Sequence, residues 1–241
     1  MSDFPLLAFI DAIYIINLKH RADRRAEMAQ QLARIGLDYN HPKIRLFPAE
    51  RPKTPEEFPN IGSRGCFLSH LNILKDAYAQ NYDCIFILED DADFSTAFCN
   101  MSVPEAVLIK ETEWDMFHLG SFHTPDLKED TDYQFFTSVL QSAPLKLTHA
   151  ILFKRTAIID LIPYFETMLT RKLGDPLGGP MHVDGAYGWF RNAHPKIIAM
   201  ATKKQWVVQR SSRTDIHEPS WKERIPLINF VRRIKNRLTR N

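Results

Sequence analysis

The chain has 241 residues, 44% of them hydrophobic and 25% charged, with a formal net charge of +2. That composition suits a folded globular protein and excludes wholesale disorder, and the near-neutral balance offers nucleic acid no global field, so no nucleic-acid partner is expected. Cys66, Cys84 and Cys99 are odd in number and lack metal spacing, which fits thiols in a reducing compartment better than a disulfide framework.

Residues 6–18 are apolar but broken by Asp11, with no basic residue ahead of them. The run is too short to span a membrane and lacks the charged start of a signal peptide, so the expected location is cytoplasmic. Within it, Ile13–Leu18 is the first predicted strand. Lys19, His20, Arg21, Arg24 and Arg25 follow at once. Met28, Leu32 and Ile35 then recur at helical spacing until Gly36 ends the helix. A basic helix start at the ligand edge of a sheet can receive phosphates; a solvated basic turn is the competing reading.

Ile44–Phe47 is a second predicted strand, and the proline-rich, charged stretch from Pro48 to Asn60 a loop. Gly62–Gly65 lead into a helix whose buried stripe is Phe67, Leu71, Leu74 and Tyr78, with Ser69 and His70 beside it. The central stretch is Cys84–Asp93. Its five apolar residues, Cys84 to Leu88, read as a strand buried on both faces, and Glu89, Asp90 and Asp91 fall at its C-terminal end. Ligands of open α/β sheets bind at that edge. Three adjacent carboxylates repel one another, and a divalent cation with a taste for oxygen, Mg²⁺ or Mn²⁺, would relieve them. A solvated acidic turn is the alternative, and Asp93 reads as a turn former.

Further along, a helix is expected around Pro104–Glu111 and a strand at Trp114–Leu119. A hairpin is expected through Tyr133–Leu140, and a strand at Lys146–Phe153 carries Thr148 and His149. Thr156 is read as the cap of a helix to Met168. Lys172–Met181, with three glycines and two prolines, is read as a loop, and a short segment with Asp184, Tyr187 and Trp189 follows it. Late strands are expected at Ile197–Met200 and Trp206–Val208. The organisation expected is one domain over residues 1–219 and a tail over 220–241. The tail sets seven basic residues against one acid, Glu223, and Leu227, Val231, Ile234 and Leu238 fall on one helical stripe. A basic amphipathic helix of that kind reads as an attachment to an anionic membrane surface, at the cytoplasmic face. Docking on the protein's own domain is the other reading.

Taken in order, four blocks resemble glycosyltransferase family 25, which includes lipooligosaccharide galactosyltransferases and relatives of the collagen galactosyltransferases. They are Tyr14–Leu18 with Arg21, Asp23, Arg24 and Arg25; Gly65-Cys-Phe-Leu-Ser-His70; Ile87-Leu-Glu-Asp-Asp91; and Thr148-His-Ala150 with the later Val183-Asp184. Ser211–Ile216 adds a fifth, weaker likeness. The resemblance implies a GT-A-like α/β fold, a Rossmann-like mixed sheet flanked by helices. It implies a nucleotide-sugar donor, most often UDP-galactose, a saccharide acceptor and Mn²⁺ or Mg²⁺. On that footing Glu89 and Asp91 are the expected metal ligands, and Asp91 and Asp184 the catalytic acids, Asp184 taking the acceptor proton in an inverting reaction. Asn17, Leu18, Arg21, Arg24, Ser69, His70 and Asp90 are expected on the donor, and His149 and Trp189 on the acceptor, with Tyr187 a second stacking candidate. Each has a structural reading as well: an N-cap for Asp184, core packing for the histidines and aromatics. A metal-dependent phosphohydrolase and a sugar-nucleotide-binding protein without turnover are the rival functions.

Overall fold

The computed structural model describes residues 4–120 and 133–210. Its centre is a seven-stranded mixed sheet in the order β2-β1-β3-β7-β5-β8-β6. The strands are β1 Ala12–Asn17, β2 Ile44–Pro48, β3 Cys84–Glu89, β5 Met116–His118, β6 Phe136–Ser138, β7 Ala150–Lys154 and β8 Ala199–Thr202. β4 Ala92–Phe94 and β9 Val207–Gln209 form a separate antiparallel pair. The sheet is flanked by helices, α1 Ala22–Arg34, α2 Ile61–Ala79, α4 Val103–Glu111, α5 Arg155–Leu169 and α6 Val183–Ala193, with a single short turn of helix, α3, at Thr96–Cys99. This is the mixed, helix-flanked α/β class that the sequence predicts.

The burial pattern explains the arrangement. β1 and the apolar part of β3 are buried on both faces, and alternate residues feed two separate cores. Ile13, Ile15, Phe86 and Leu88 point into one, with Met28 and Leu32 of α1. Tyr14, Ile85 and Ile87 point into the other, with Phe67, Leu71 and Leu74 of α2 and Phe165 of α5. At about 25 cal/mol per Å² of apolar surface, two such layers fix β1 and β3 side by side far more firmly than their ladder alone. The register sets Ile16 against Glu89, so the basic turn after β1 and the acids after β3 leave the same sheet edge. β7 runs antiparallel to β3, which brings the residues before it, Thr148 and His149, to that edge as well.

Several local expectations are corrected. The second core takes Phe67, Leu71 and Leu74, but Tyr78 is exposed, its ring covered by the Arg155 guanidinium at 4.9 Å. Gly62 and Gly65 lie inside α2, which starts at Ile61 behind an Asn60–Ser63 capping box. Lys146 makes only an isolated β-bridge and residues 147–149 are not strand: Leu147 has φ +72°, and β7 begins at Ala150. Lys154, not Thr156, is the N-cap of α5; the Thr156 hydroxyl instead donates to Asp115. β6 pairs with β8 rather than closing a local hairpin. The tail helix expected in 220–241 and the Ser211–Ile216 block lie outside the described residues. No helix among the described residues is long and apolar enough to cross a membrane.

Candidate active site

Above the C-terminal ends of β1 and β3 lies a cavity of about 330 Å³. Its floor includes Ile16, Leu18, Arg24, Glu89 and Asp90; Cys66 and Ser69 of α2 form one wall, and the loop through Glu50 and Pro52 another. That loop is locked onto α2. The Ser69 hydroxyl donates to the Gly65 carbonyl at 2.7 Å and accepts from the Glu50 backbone N–H at 2.8 Å. Gly65 is needed for this approach, because a Cβ there would sit 2.6 Å from the Glu50 carbonyl oxygen. Ser69 therefore shapes the wall, with its hydroxyl already committed to the backbone.

The three adjacent acids have three different environments. Asp90 accepts from Asn17 Nδ2 and from Arg24, each at 2.6 Å. Burial still holds its carboxyl above the usual range, against the opposing pull of Arg24 and Asn17. Glu89 accepts from the Thr148 hydroxyl at 2.7 Å and lies 3.7 Å from His70 Nε2, an electrostatic contact too long for a hydrogen bond. Burial pushes Glu89 up, but His70 and Thr148 outweigh it and keep it below the ordinary value. Asp91 is 7% exposed, its Oδ1 has no hydrogen-bond partner among the described residues, and Arg24 comes no nearer than 3.5 Å. Burial and the neighbouring Glu89 push its carboxyl up to about 7.

The arginines divide in the same way. Arg25 closes its own turn, donating to Asn17 Oδ1 and the Lys19 carbonyl, and so orients the amide that holds Asp90. Arg21 forms a bidentate pair with Asp23 and is absent from the cavity lining. Arg24 alone among the three reaches both the cavity and the acids.

On the other side, α6 carries Asp184 in its first turn, behind His182 as N-cap, so Asp184 is not the cap itself. Its Oδ1 accepts from the Gly185 N–H, and its charge is felt at the Cys66 thiol, which burial first and then Glu89, Asp91 and Asp184 drive well upward. Tyr187 is in the core, not on a sugar-facing surface. Its hydroxyl lies 2.9 Å from His70 Nδ1. Trp189, 39% exposed, packs beside Gly178 and remains a surface aromatic.

Two further predicted residues, His149 and Asp93, have partners the sequence did not suggest. The fully buried His149 ring donates from Nε2 to the Val207 carbonyl at 2.9 Å and packs against Gly120, where a Cβ would overlap it. It braces β9 through Nε2, while its Nδ1 has no hydrogen-bond partner among the described residues, and its backbone carbonyl takes the Glu89 N–H. Asp93 is no turn former either. It is buried on β4 and paired with Arg210, whose N–H donates to the Asp91 carbonyl. Sequence reasoning overlooked Thr148 as a partner of Glu89, though it stands inside one of the quoted blocks. It treated Cys66 only as a thiol.

Residues 60–135 match the family model of glycosyltransferase family 25, described as LPS biosynthesis protein. Procollagen galactosyltransferase 1-B of Xenopus laevis is 29% identical over 128 residues, 46% of this chain and 21% of the relative. A glycosyltransferase 25 family member of Anopheles gambiae is 31% identical over 125 residues, 45% of this chain and 21% of its own. A mouse relative, named inactive glycosyltransferase 25 family member 3, is 27% identical over 128 residues, 46% of this chain and 22% of its own. The chain thus spans about a fifth of the length of the curated relatives it matches. A solved glycosyltransferase involved in the glycosylation of the major capsid of PBCV-1 superposes with a TM-score of 0.49 at 12% identity, over 84% of this chain and 95% of that one, a likeness too distant to bear on function.

Proposed function

We propose that this chain, a relative of the family 25 glycosyltransferases, moves a hexose, galactose first among the candidates, from a UDP-sugar to a saccharide acceptor with inversion. The observation that carries this reading is the acid-floored cavity at the end of β3, with Arg24 beside Glu89 and Asp90. The buried Asp91 Oδ1, without a hydrogen-bond partner among the described residues, fits a divalent cation, because an uncompensated carboxylate in that position is costly without one. Glu89 and Asp91 would hold Mn²⁺ or Mg²⁺. Such an ion supplies Lewis-acid neutralisation of a leaving diphosphate.

The chain's own groups carry the rest. Arg24 offers positive charge to the donor phosphates while fixing Asp90, and Asn17 and Arg25 hold that pair in place. Asp90, with its remaining acceptor capacity, is suited to a donor hydroxyl at the cavity floor. Asp184 takes the proton of the acceptor hydroxyl as its oxygen attacks the anomeric carbon. The bond from that carbon to the diphosphate oxygen breaks, and the diphosphate leaves with the electron pair. Trp189 is an exposed aromatic on which an acceptor ring can stack.

The experiment is a panel of nucleotide sugars assayed for metal-dependent hydrolysis without acceptor. Release of UDP from UDP-galactose, dependent on Mn²⁺ or Mg²⁺, is expected. Turnover of no UDP-sugar, with no thermal stabilisation by any of them, overturns the proposal. Stabilisation without turnover selects the second reading, a sugar-nucleotide-binding protein, which the match to a relative named inactive favours. The composition of residues 220–241, outside the described residues, supports a cytoplasmic location with peripheral attachment to an anionic membrane as part of the same proposal.

A further inference from the structure

Beside the acids lies a set of donors that a hard cation does not call for. Cys66 Sγ, a His70 ring nitrogen and a Glu89 carboxylate oxygen all lie within 4.8 Å of one another, with His70 Nε2 3.7 Å from Glu89 Oε1. They come from successive turns of α2 and from the end of β3, two elements locked together through the second core, so their proximity is a property of the scaffold rather than of a loop. We infer that Cys66, His70 and Glu89 form a binding site for a borderline-soft divalent cation, Zn²⁺ by its donor set, distinct in chemistry from the oxygen site expected at Glu89 and Asp91.

Three observations carry the inference. First, His70 is fully buried and its Nε2 has no hydrogen-bond partner among the described residues, although a buried ring nitrogen ordinarily has one. Second, the other ring nitrogen is already held: Nδ1 lies 2.9 Å from the Tyr187 hydroxyl. A ligating histidine is usually oriented through its second nitrogen in this manner. With the proton on Nδ1, donated to the tyrosine oxygen, the Nε2 lone pair faces Cys66 and Glu89. Third, Glu89 is steadied by the Thr148 hydroxyl at 2.7 Å, so both the histidine and the carboxylate arrive with outer partners in place.

The donor types select the ion. A thiolate and an imidazole beside one carboxylate suit zinc, whereas Mg²⁺ and Mn²⁺ favour oxygen. Zinc–ligand bonds of about 2.0–2.3 Å put tetrahedral ligand atoms roughly 3.5 Å apart, so a closure on the order of 1 Å completes the site. Binding converts the Cys66 thiol to thiolate and releases one proton to solvent. The resulting cluster of Zn²⁺, one thiolate and one carboxylate is electrically neutral. Cys66 and Glu89 both line the cavity, so the fourth coordination position opens onto it. Sharing Glu89 makes the two cation sites compete.

The test reads binding, not transfer, and so stands apart from the proposed function. Full-length protein, stripped with chelator and dialysed, is titrated with Co²⁺ as a spectroscopic stand-in for zinc. A thiolate-to-cobalt charge-transfer band is expected, displaced by Zn²⁺ and not by Mg²⁺. It should be lost in Cys66→Ser and kept in Cys84→Ser and Cys99→Ser. In the wild type, where folding is not in question, Zn²⁺ should slow alkylation of Cys66 about tenfold or more, mapped by peptide mass, because a coordinated thiolate is no longer a free nucleophile. No band in the wild type, a band that survives in Cys66→Ser, or alkylation of Cys66 unchanged by saturating Zn²⁺ would each overturn the inference.

Discussion

Asp91→Asn is expected to make the cation-free protein more stable while removing transfer. Burial, with Glu89 beside it, holds the Asp91 carboxyl at about 7 against an ordinary 3.8. The folded chain therefore binds a proton there that the unfolded chain has released, and stability falls as pH rises from about 4 to 7 and levels off above that. A difference of about three pKa units corresponds to a ceiling of roughly 4 kcal/mol above neutrality. The asparagine amide offsets part of this, since a buried NH₂ without a full set of partners costs about 1–3 kcal/mol. A net gain of about 1–3 kcal/mol remains, or roughly 2–10 °C in melting temperature for a domain of this size. At about pH 5 only some one pKa unit of the cost is left, so the gain should vanish or reverse. Thermal unfolding of chelator-treated wild type and variant at both pH values measures it. Mn²⁺ should then raise the melting temperature of the wild type and not of the variant. A variant less stable than wild type near pH 8, or a difference independent of pH, would refute the reading of Asp91 as an uncompensated acid.

Asp184→Asn should abolish transfer to acceptor yet leave UDP-sugar affinity within about twofold, measured by calorimetry; lost donor affinity would move Asp184 to the nucleotide side. Arg24→Ala leaves Asn17 as the remaining hydrogen-bond donor to the buried Asp90 carboxylate among the described residues and should cost about 3–5 kcal/mol in urea unfolding, whereas an exposed-pair effect under 1 kcal/mol would show that the Arg24–Asp90 pair is solvated. Gly120→Ala drives a methyl into the His149 ring and the Val207 carbonyl, so it should destabilise by at least about 1–3 kcal/mol and lower activity indirectly; a neutral result would mean that β9 is free to move off His149. Truncation at Ser220 should remove salt-sensitive cosedimentation with anionic vesicles, and equal binding by truncated and full-length protein would dispose of the membrane attachment.

Much of the frame could be read from the chain because its signals are local. β1 and β3 are continuous apolar runs buried on both faces, and Gly36 ends the turn after α1 at φ +74°. What escaped depends on partners far along the chain. Asp93 looks like a turn residue until Arg210, 117 residues later, is seen to pair with it, and β4 exists because β9 lies beside it. His149 reads as a ligand for sugar only while Val207 is unknown. The alternation of Lys146–Phe153 suggested strand throughout, but the left-handed turn at Leu147 delays β7 and so delivers Thr148 to Glu89. Tyr187 sits at a spacing that equally suits a surface stack, and only the packing of α6 on α2 turns its hydroxyl to His70.

The most consequential of these long-range effects is the separation of Glu89, Asp90 and Asp91 into three kinds of acid. In sequence they are one cluster, and repulsion among them is the whole argument for a cation. In the fold, Asp90 is answered by Arg24 and Asn17, and Glu89 by Thr148 and His70; Asp91 Oδ1 has no hydrogen-bond partner among the described residues. The demand for a cation therefore falls on Asp91 together with Glu89, not on the triplet evenly. Conservative amides should separate the three: Asp91→Asn stabilises the stripped protein, whereas Asp90→Asn destabilises it by leaving Arg24 buried beside an uncharged partner. Glu89→Gln should disturb both cation sites at once, because Glu89 is common to the oxygen pair and to the set with Cys66 and His70. Comparable stability changes in all three would mean that the cluster acts as a single diffuse charge, and the assignment of separate roles would fail.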